Sequence, residues 1–197
     1  VNYSKGAYTS GPAGLINYAD CHDNNILWDK IALSYKDASE EQRIKMHELA
    51  YAIVLTAQGT PFLTAGSEFL RTKYSVENSF NSGDSINAIN WNLKTKNIAT
   101  YQYIQSLVLL RKAHPAFRMT TAQHIAENLV FQDHLPEGLI GYTINGAAVG
   151  DTWKKIWVGY NGNLSAKTIE LPAGNWEIAS IRNASALKGN LLTLDGS

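Results

Sequence analysis

The arrangement of apolar residues changes near Pro115, and this change limits the folds that the chain can form. Before Pro115, short apolar runs typical of buried strands alternate with longer segments in which apolar residues recur at helical spacing. After Pro115, short strand-like runs are separated by turn sequences such as "PEG", "NGN" and "PAGN". The sequence therefore predicts an α/β part over residues 1–115 and an all-β part over residues 116–197.

Two apolar runs in the first part are predicted to be buried parallel strands. They are "GLINYA" (14–19) and "TPFLTAGSEF" (60–69), with Pro61 at the start of the second. Parallel strands are buried on both faces and need lateral neighbours, so two of them cannot close a sheet. We therefore expect residues 1–115 to be the last part of a larger α/β domain, completed by upstream sequence or by another chain.

Two helices are predicted in the same part. Ser39 and Gln42 form a possible capping box at the start of the first. The second, "IATYQYIQSLVLLRKAH", ends before Pro115 because proline disfavours the helical conformation in the residue before it. The polar segment 70–96 is long for a simple connection, which favours a functional role. One face of the first helix carries Met46, Leu49, Ala50, Ile53 and Ala57.

Six runs after Pro115 are predicted to form a small antiparallel β-sandwich. They are "NLVFQDHL", "GLIGYTI", "KKIWVGYN", "AKTIEL", "NWEIASI" and "NLLTL". Three tryptophans in this part, Trp153, Trp157 and Trp176, are candidates for sugar stacking or for core packing.

The composition excludes some classes of partner. Seventeen basic and seventeen acidic residues give a net charge of zero, whereas nucleic acids and anionic membranes require a basic face. No run approaches the roughly 20 apolar residues of a membrane span. The single cysteine, Cys21, cannot form an internal disulfide, so the redox compartment stays open.

Four hydrogen-bonding residues follow the first predicted strand. They are His22, Asp23, Asn24 and Asn25, and Glu68 occupies the matching position after the second strand. Active sites of α/β barrels and open parallel sheets gather at the carboxyl ends of the strands. Both strands therefore deliver polar groups to one rim.

A neighbouring histidine and aspartate are compatible with a metal site, acid–base chemistry or polyol binding. Metal sites need three or more ligands with recognisable spacing, and none is visible. A Ser-His-Asp hydrolase would need a nucleophile elbow of the G-x-S-x-G kind, which the chain lacks. Sugars require dense donors and acceptors together with aromatic faces, which this segment offers. A structural role, in which Asp23 caps a turn and His22 packs, stays open from residue types alone.

Two longer segments carry a resemblance to a known family. "INYADCHDNNILWDKI" and "GTPFLTAGSEFLRTKYSVENSFNSGDSINAINW" closely resemble the C-terminal part of type I pullulanases, which belong to the α-amylase family, glycoside hydrolase family 13. "HDN" resembles the fourth conserved region of that family and "GTPFLTAGSEF" its eighth-strand motif. The resemblance covers residues 14–115, and the remainder resembles the domain after the barrel. It implies the last two βα units of a (β/α)8 TIM barrel, followed by a β-sandwich.

The resemblance implies retaining hydrolysis of α-1,6 links in pullulan and branched α-glucans such as starch, glycogen and limit dextrins. Such chemistry needs a nucleophile and an acid/base, two carboxyl groups about 5 Å apart. In this family they follow the fourth and fifth barrel strands, which places them upstream of Val1 and implies that this segment alone is inactive. The implied partners are an α-glucan and the upstream barrel of the same polypeptide. The alternatives are a non-catalytic α-glucan-binding protein and an isoamylase-type or branching-type relative.

The resemblance also implies roles for individual residues. Asp23 matches the family's third essential carboxylate, which favours the oxocarbenium-like state. His22 matches the residue that hydrogen-bonds the same sugar. The implied substrate-binding residues are Asn24, Asp84, Asn87, Tyr74 and Trp28.

One position departs from the family pattern, and three others are expected to have structural roles. Relatives often carry an arginine four residues after the acid that Asp84 matches, where this chain has Ala88, and Asn87 is a candidate to compensate. Structural roles are expected for Glu68 (bracing the rim), Trp91 (core) and Cys21 (buried filler).

No cofactor is predicted. Some relatives bind calcium, yet no run spaces oxygen ligands like a calcium loop, so calcium binding stays open. A polymeric substrate favours an extracellular or cell-surface location, but cytoplasmic glycogen-debranching members exist, so localisation also stays open.

Overall fold

A computed structural model describes residues 9–179 and 186–196. The chain divides into two compact units. The strand–helix unit is Ile16–Leu109, and the β unit combines the residues up to Leu15 with those from Leu110 onward. The domain boundary proposed after residue 115 stays a prediction.

The strand–helix unit contains a parallel pair of very short strands. Strand β1 (Ile16–Asn17) pairs with β2 (Thr60–Pro61), with Ile16 opposite Thr60. The prediction of burial is wrong at the paired strand residues, because Ile16 is 57% exposed and Phe62 also lies at the surface, whereas Ser67 and Phe69 at the end of the second run are buried. A sheet of two short strands has no lateral neighbours in the described part of the chain, so these side chains are covered only in part.

Helices α1 (Leu27–Ser34) and α2 (Glu40–Thr56) follow β1. The predicted capping box of α2 is confirmed. The Ser39 hydroxyl accepts the Gln42 N–H at 3.2 Å, and the Gln42 side chain accepts the Ser39 N–H at 2.8 Å. Two of the donors that a helix start leaves unpaired are therefore satisfied locally.

The apolar face of α2 that the sequence indicates is not the face that is buried most. This stripe is half-buried or exposed, and Ile53 is 40% exposed. Helix α2 carries apolar residues on more than one face, and polar partners elsewhere in the unit decide which face turns inward. His47 bonds the Ser67 carbonyl at 2.8 Å, and Glu48 accepts the Thr100 hydroxyl at 2.7 Å. The buried residues are His47, Glu48, Tyr51, Ala52, Val54, Leu55 and Thr56.

The polar segment 70–96 contains two short helices, α3 (Asp84–Asn87) and α4 (Asn92–Lys96). Helix α5 (Ile98–Ala113) ends before Pro115, as predicted. In the ranges that the structure describes, no helix combines the length and apolarity that a membrane crossing needs.

Trp91 is 65% exposed, so the prediction that it lies in the core is wrong. Its ring lies 5.7 Å from the Phe69 ring, centroid to centroid. Phe69 itself is fully buried. Trp91 therefore covers a core residue from the outside.

The β unit contains two antiparallel sheets, which confirms the predicted antiparallel β part. A helix missed from sequence, α6 (Ala122–Asn128), precedes them and is capped by the Thr121 hydroxyl. The first sheet has the order β3-β4-β5 and the second β6-β8-β7. The strands are β3 (Leu129–Phe131), β4 (Leu139–Ile144), β5 (Ile156–Asn161), β6 (Lys167–Glu170), β7 (Ala186–Lys188) and β8 (Leu191–Leu194).

The two sheets contribute to one apolar core, as expected of a sandwich. Leu139 comes from the first sheet, Ile169 and Leu192 from the second, and Leu171 follows β6. The predicted strand "NWEIASI" is wrong over residues 175–179, which form no strand, and its last two residues lie outside the described residues.

Candidate functional site

The segments that follow β1 and β2 are tied together by hydrogen bonds. Because the strands are parallel, their carboxyl ends lie at the same edge. The Thr64 hydroxyl donates to the Asp20 carbonyl at 3.0 Å, and the Ser67 hydroxyl donates to the Asp20 carboxylate at 3.1 Å. The segment that carries His22 and Asp23 is thus fixed to the segment that follows β2.

His22 and Asp23 both point towards solvent. Their side chains are 86% and 70% exposed, with 3.4 Å between His22 Nε2 and Asp23 Oδ2. Among the described residues, the Asp23 carboxylate accepts no backbone N–H, so the turn-capping reading has no support in the structure. An exposed carboxylate beside an exposed imidazole offers two neighbouring hydrogen-bonding groups to a ligand.

Asn24, the third predicted residue of this cluster, is also exposed. Its φ angle of 61° lies in the left-handed region, which asparagine adopts more readily than most residues. The chain turns sharply at this point, immediately after Asp23.

A buried aspartate, Asp20, supports the segment from behind. Its Oδ1 accepts the Tyr51 hydroxyl at 2.8 Å, and its Oδ2 accepts the Leu27 N–H at 2.8 Å. Leu27 is the first residue of α1, so Asp20 also caps that helix and complements its dipole. Asp20 therefore fixes both ends of the segment between Asp20 and Leu27, here called the site segment. Sequence reasoning missed Asp20, although an acid at the end of an apolar run was a usable signal.

His47 and Tyr51, which lie near Asp20, each keep one protonation state at neutral pH. Burial lowers the pKa of His47 to about 4, although its hydrogen bond with the Ser67 carbonyl and the nearby Asp20 act in the opposite direction. His47 is therefore neutral at pH 7. Burial also raises the pKa of Tyr51, and Asp20 adds to this effect. The Tyr51 hydroxyl consequently stays a donor to Asp20.

A second buried aspartate, Asp29, organises the segment after residue 71. One oxygen accepts the Thr72 hydroxyl, and the other accepts the N–H groups of Lys73 at 2.8 Å and Ser75 at 3.1 Å. Tyr74 lies within this turn with a φ angle of 54°, and its side chain is exposed. The turn thus presents the Tyr74 ring to solvent. Sequence reasoning missed Asp29.

The remaining predicted sugar-binding residues differ in their surroundings. Asp84 is the exposed first residue of α3. The side-chain amide of Asn87 donates to the carbonyls of Ser79 and Ser82, both at 2.7 Å, so Asn87 braces the segment. Trp28 is half-buried, and its ring packs edge-on against His47 with a centroid distance of 6.2 Å. Whether these residues bind sugar stays a prediction.

Three further expectations concern packing. Glu68 accepts the Gly66 N–H at 2.9 Å, as expected of a bracing residue. Cys21 is half-buried rather than buried. In the β unit, Trp153 stacks on His114, Trp157 donates to Gln132, and Trp176 donates to the Pro172 carbonyl.

One cavity in the strand–helix unit is not lined by His22 or Asp23. This cavity of about 270 Å³ lies beside β1 and α2. Within residues 9–179 and 186–196, no group of three or more His, Cys, Asp or Glu side chains could hold a metal ion. The cavity is lined by Ile16, Asn17, Tyr18, Ile53, Val54 and Ala57.

Comparison with known proteins relates both units to one family. The family model "Pullulanase, all-beta domain" matches residues 125–183. The pullulanase of Bacillus subtilis (strain 168) is 39% identical over 161 residues, which are 82% of this chain and 22% of that protein. The chain belongs to the pullulanase family. This family is part of the α-amylase group of glycoside hydrolases, as the resemblance implied.

Two solved pullulanases have the same fold over nearly the whole chain. The pullulanase from Paenibacillus barengoltzii was solved in complex with maltohexaose and alpha-cyclodextrin. It is 43% identical to this chain with a TM-score of 0.91, and the match covers 100% of this chain and 31% of the Paenibacillus chain. The pullulanase from Bacillus acidopullulyticus is 41% identical with a TM-score of 0.90, and the match covers 95% of this chain and 24% of the Bacillus chain. The chain therefore spans between about a fifth and a third of the length of these relatives.

Proposed function

We propose that this pullulanase-family chain is part of a retaining glycoside hydrolase that cleaves α-1,6-glucosidic links in pullulan and branched α-glucans. The observation that supports this function is the exposed Asp23–His22 pair, which follows a parallel strand next to Asp20, a residue held by buried hydrogen bonds from Tyr51 and Ser67. The Paenibacillus barengoltzii relative was solved with maltohexaose and alpha-cyclodextrin, which supports α-glucan oligosaccharides as the ligand class.

In this mechanism Asp23 acts on the sugar at the cleavage point. Its carboxylate holds sugar hydroxyls and stabilises the positive charge that develops in the oxocarbenium-like transition state. His22 bonds the same sugar, and Asn24 reaches a neighbouring one. Further along the glucan, the proposed contacts are Asp84, Asn87, Tyr74 and Trp28.

The nucleophile and the acid/base are proposed to lie upstream of Val1, in the other strands of a (β/α)8 barrel. The exposed apolar side chains around β1, β2 and α2 support this proposal, because further strands and helices would cover them. They include Ile16, Tyr18, Ile53 and Phe62. Accordingly, we expect the 197 residues alone to release no reducing ends from pullulan.

The test compares Asp23→Asn with the unmodified full-length protein on pullulan. Asparagine keeps the size of the side chain but removes its charge, so we expect turnover to fall by about 10²- to 10³-fold. Asp37→Asn, at an exposed turn position between α1 and α2, is the matched control and should leave the rate unchanged. An Asp23→Asn rate equal to that of the unmodified protein would remove Asp23 from the mechanism.

Substrate comparison separates the alternatives. A debranching enzyme of the pullulanase type should cleave pullulan, whereas an isoamylase-type relative should prefer glycogen. A protein that binds pullulan without cleaving either substrate would be a glucan-binding protein. Activity after treatment with a chelator would show whether calcium takes part.

A further inference from the structure

We propose that Lys73 is a positioning residue for this reaction, because its buried ammonium group fixes the main chain at His22 and thereby the direction of the Asp23 side chain. This inference rests on the proposed function of Asp23. It assigns to Lys73 a role that sequence reasoning did not suggest.

The side chain of Lys73 points into the unit rather than into solvent. Lys73 is only 6% exposed, although lysine side chains usually extend to water. Its Nζ donates to the Ser79 hydroxyl at 2.9 Å and to the His22 carbonyl at 3.3 Å. Both acceptors are neutral oxygens. Since burial of a cation is unfavourable without hydrogen bonds, these two acceptors define where the ammonium group lies.

The main chain of Lys73 is anchored independently of its side chain. Its N–H donates to the buried Asp29 carboxylate at 2.8 Å, and Asp29 belongs to helix α1. The side chain then extends from this anchor to the carbonyl of His22. Lys73 thus connects the site segment to the helix that follows it.

The site segment has few other restraints. Among the described residues, residues 21–25 take part in two hydrogen bonds, the one from Lys73 and a 3.8 Å contact from the Cys21 thiol to the Asp23 carbonyl. The thiol contact is long, weak and local. Asp20 holds the positions that flank residues 21–25, and Lys73 supplies the hydrogen bond that reaches these residues from outside.

Lys73 also links two groups of proposed sugar-binding residues. The Ser79 hydroxyl accepts from Lys73, and the Ser79 carbonyl accepts the side-chain amide of Asn87. A chain of hydrogen bonds therefore runs from His22 through Lys73 and Ser79 to Asn87. A misplacement of about 1 Å in a catalytic group can lower the rate roughly 10²-fold, so this link bears on turnover.

The experiment uses Lys73→Met in the full-length protein, with Lys36→Met as a matched control at an exposed position. Methionine keeps a long side chain but removes the ammonium group. We expect kcat on pullulan to fall between about 10- and 100-fold while KM stays within about threefold, because Asp23 acts mainly on the transition state. Ser79→Ala, which removes one of the two acceptors, should have a smaller effect in the same direction.

Hydrogen exchange of backbone amides in the same variants separates positioning from general stability. The proposal predicts faster exchange in residues 21–25 and 73–79, with the rest of the strand–helix unit unchanged. Faster exchange throughout residues 16–109, or a kcat within twofold of the unmodified value, would overturn it.

The same experiment distinguishes failure of the proposed function from failure of this inference. If the unmodified protein hydrolyses no α-glucan, the proposed function is wrong and Lys73 has no role in that reaction. Hydrogen exchange then still shows whether Lys73 fixes the His22 segment. Unchanged exchange in residues 21–25 of Lys73→Met would reject the fixing role whatever the activity.

Discussion

The strand–helix unit and the β unit are stabilised in different ways. In the β unit, strands of up to six residues pair in two antiparallel sheets, and apolar side chains from both sheets fill one core. In the strand–helix unit, the strands have two residues each, and polar groups occupy much of the interior. The buried polar residues of this unit include Asp20, Asp29, His47, Glu48 and Lys73.

One buried aspartate from each unit makes the difference concrete. Asp151 of the β unit accepts His114 Nδ1 at 2.8 Å and the N–H groups of Trp153 at 2.9 Å and Ala116 at 3.1 Å. Asp20 likewise accepts three hydrogen bonds, but it supports a segment with exposed His22 and Asp23. Within the described residues, Asp151 thus bonds only to groups of its own unit's interior, whereas Asp20 also supports a segment whose polar side chains reach solvent.

The largest effect is expected from Asp20→Ala, which tests the polar interior of the strand–helix unit. Three donors, including the buried Tyr51 and Ser67 hydroxyls, lose their acceptor at about 1–3 kcal/mol each, so we expect the free energy of unfolding to fall by at least about 3 kcal/mol. Hydrogen exchange in the full-length protein should show the loss within residues 16–109 only. Asp37→Ala is the control, and a loss below about 1 kcal/mol for Asp20→Ala would contradict the prediction.

Acid should destabilise the two units in different pH ranges. The unfolded state binds a proton at His47 near pH 6.5, but the folded state does so only near pH 4, so stability falls as pH decreases from 6.5 to 4. The interval between these pKa values corresponds to roughly 3 kcal/mol. Hydrogen exchange of the strand–helix unit, measured against pH, should show this loss.

The control for this pH effect is His47→Gln, which lacks the titrating ring and should flatten the dependence between pH 6.5 and 4. An unchanged dependence in this variant would assign the acid sensitivity to another group. The β unit serves as the internal reference, because its Asp151 responds only at lower pH.

Asp151→Asn tests the β unit. Burial opposes ionisation of Asp151, but hydrogen bonds from His114, Trp153 and Ala116 outweigh it and lower the pKa below the ordinary value of 3.8. The resulting stability is present above pH 3.8 and is lost as pH falls through the lower folded-state pKa. At pH 7 we expect Asp151→Asn to cost about 2 kcal/mol.

Denaturant unfolding, monitored by hydrogen exchange of the backbone amides in residues 110–179, would measure the effect of Asp151→Asn on the stability of the β unit. The difference from the unmodified protein should shrink once the pH lies below 3.8. A difference that persists undiminished at lower pH would show that packing, rather than the charge of Asp151, is responsible.

The smallest effect is expected from Ser39→Ala, which removes the capping box of α2. Loss of a helix N-cap side chain typically costs about 1 kcal/mol, and exchange should increase mainly at the start of α2. Ser34→Ala, at the exposed last residue of α1, is the control. Equal effects of the two substitutions would show that the cap contributes nothing specific.

Local features of the fold were predictable because the residues that determine them are close in sequence. The capping box needs only Ser39 and Gln42, and the end of α5 needs only Pro115. The antiparallel strands follow from alternating apolar residues and turn sequences. The buried face of α2 and the exposure of Trp91 were not predictable in this way, because the residues that cover each side come from distant parts of the chain.

The residues of the candidate site likewise fall into those that the sequence could predict and those that it could not. His22, Asp23 and Asn24 could be singled out because polar residues follow a strand and match a family motif. Asp20, Asp29 and Lys73 could not, because the partners that justify their burial lie as far as 51 positions away in sequence.

The sequence by itself determined the strand and helix periods, the antiparallel character of the second half and the family of the chain, since each depends on residue types at short spacing. Tertiary structure alone decided which polar groups are buried and which reach solvent. The physical reason is that a buried charge or hydroxyl is stable only beside a hydrogen-bonding partner, and folding rather than local pattern brings that partner into place.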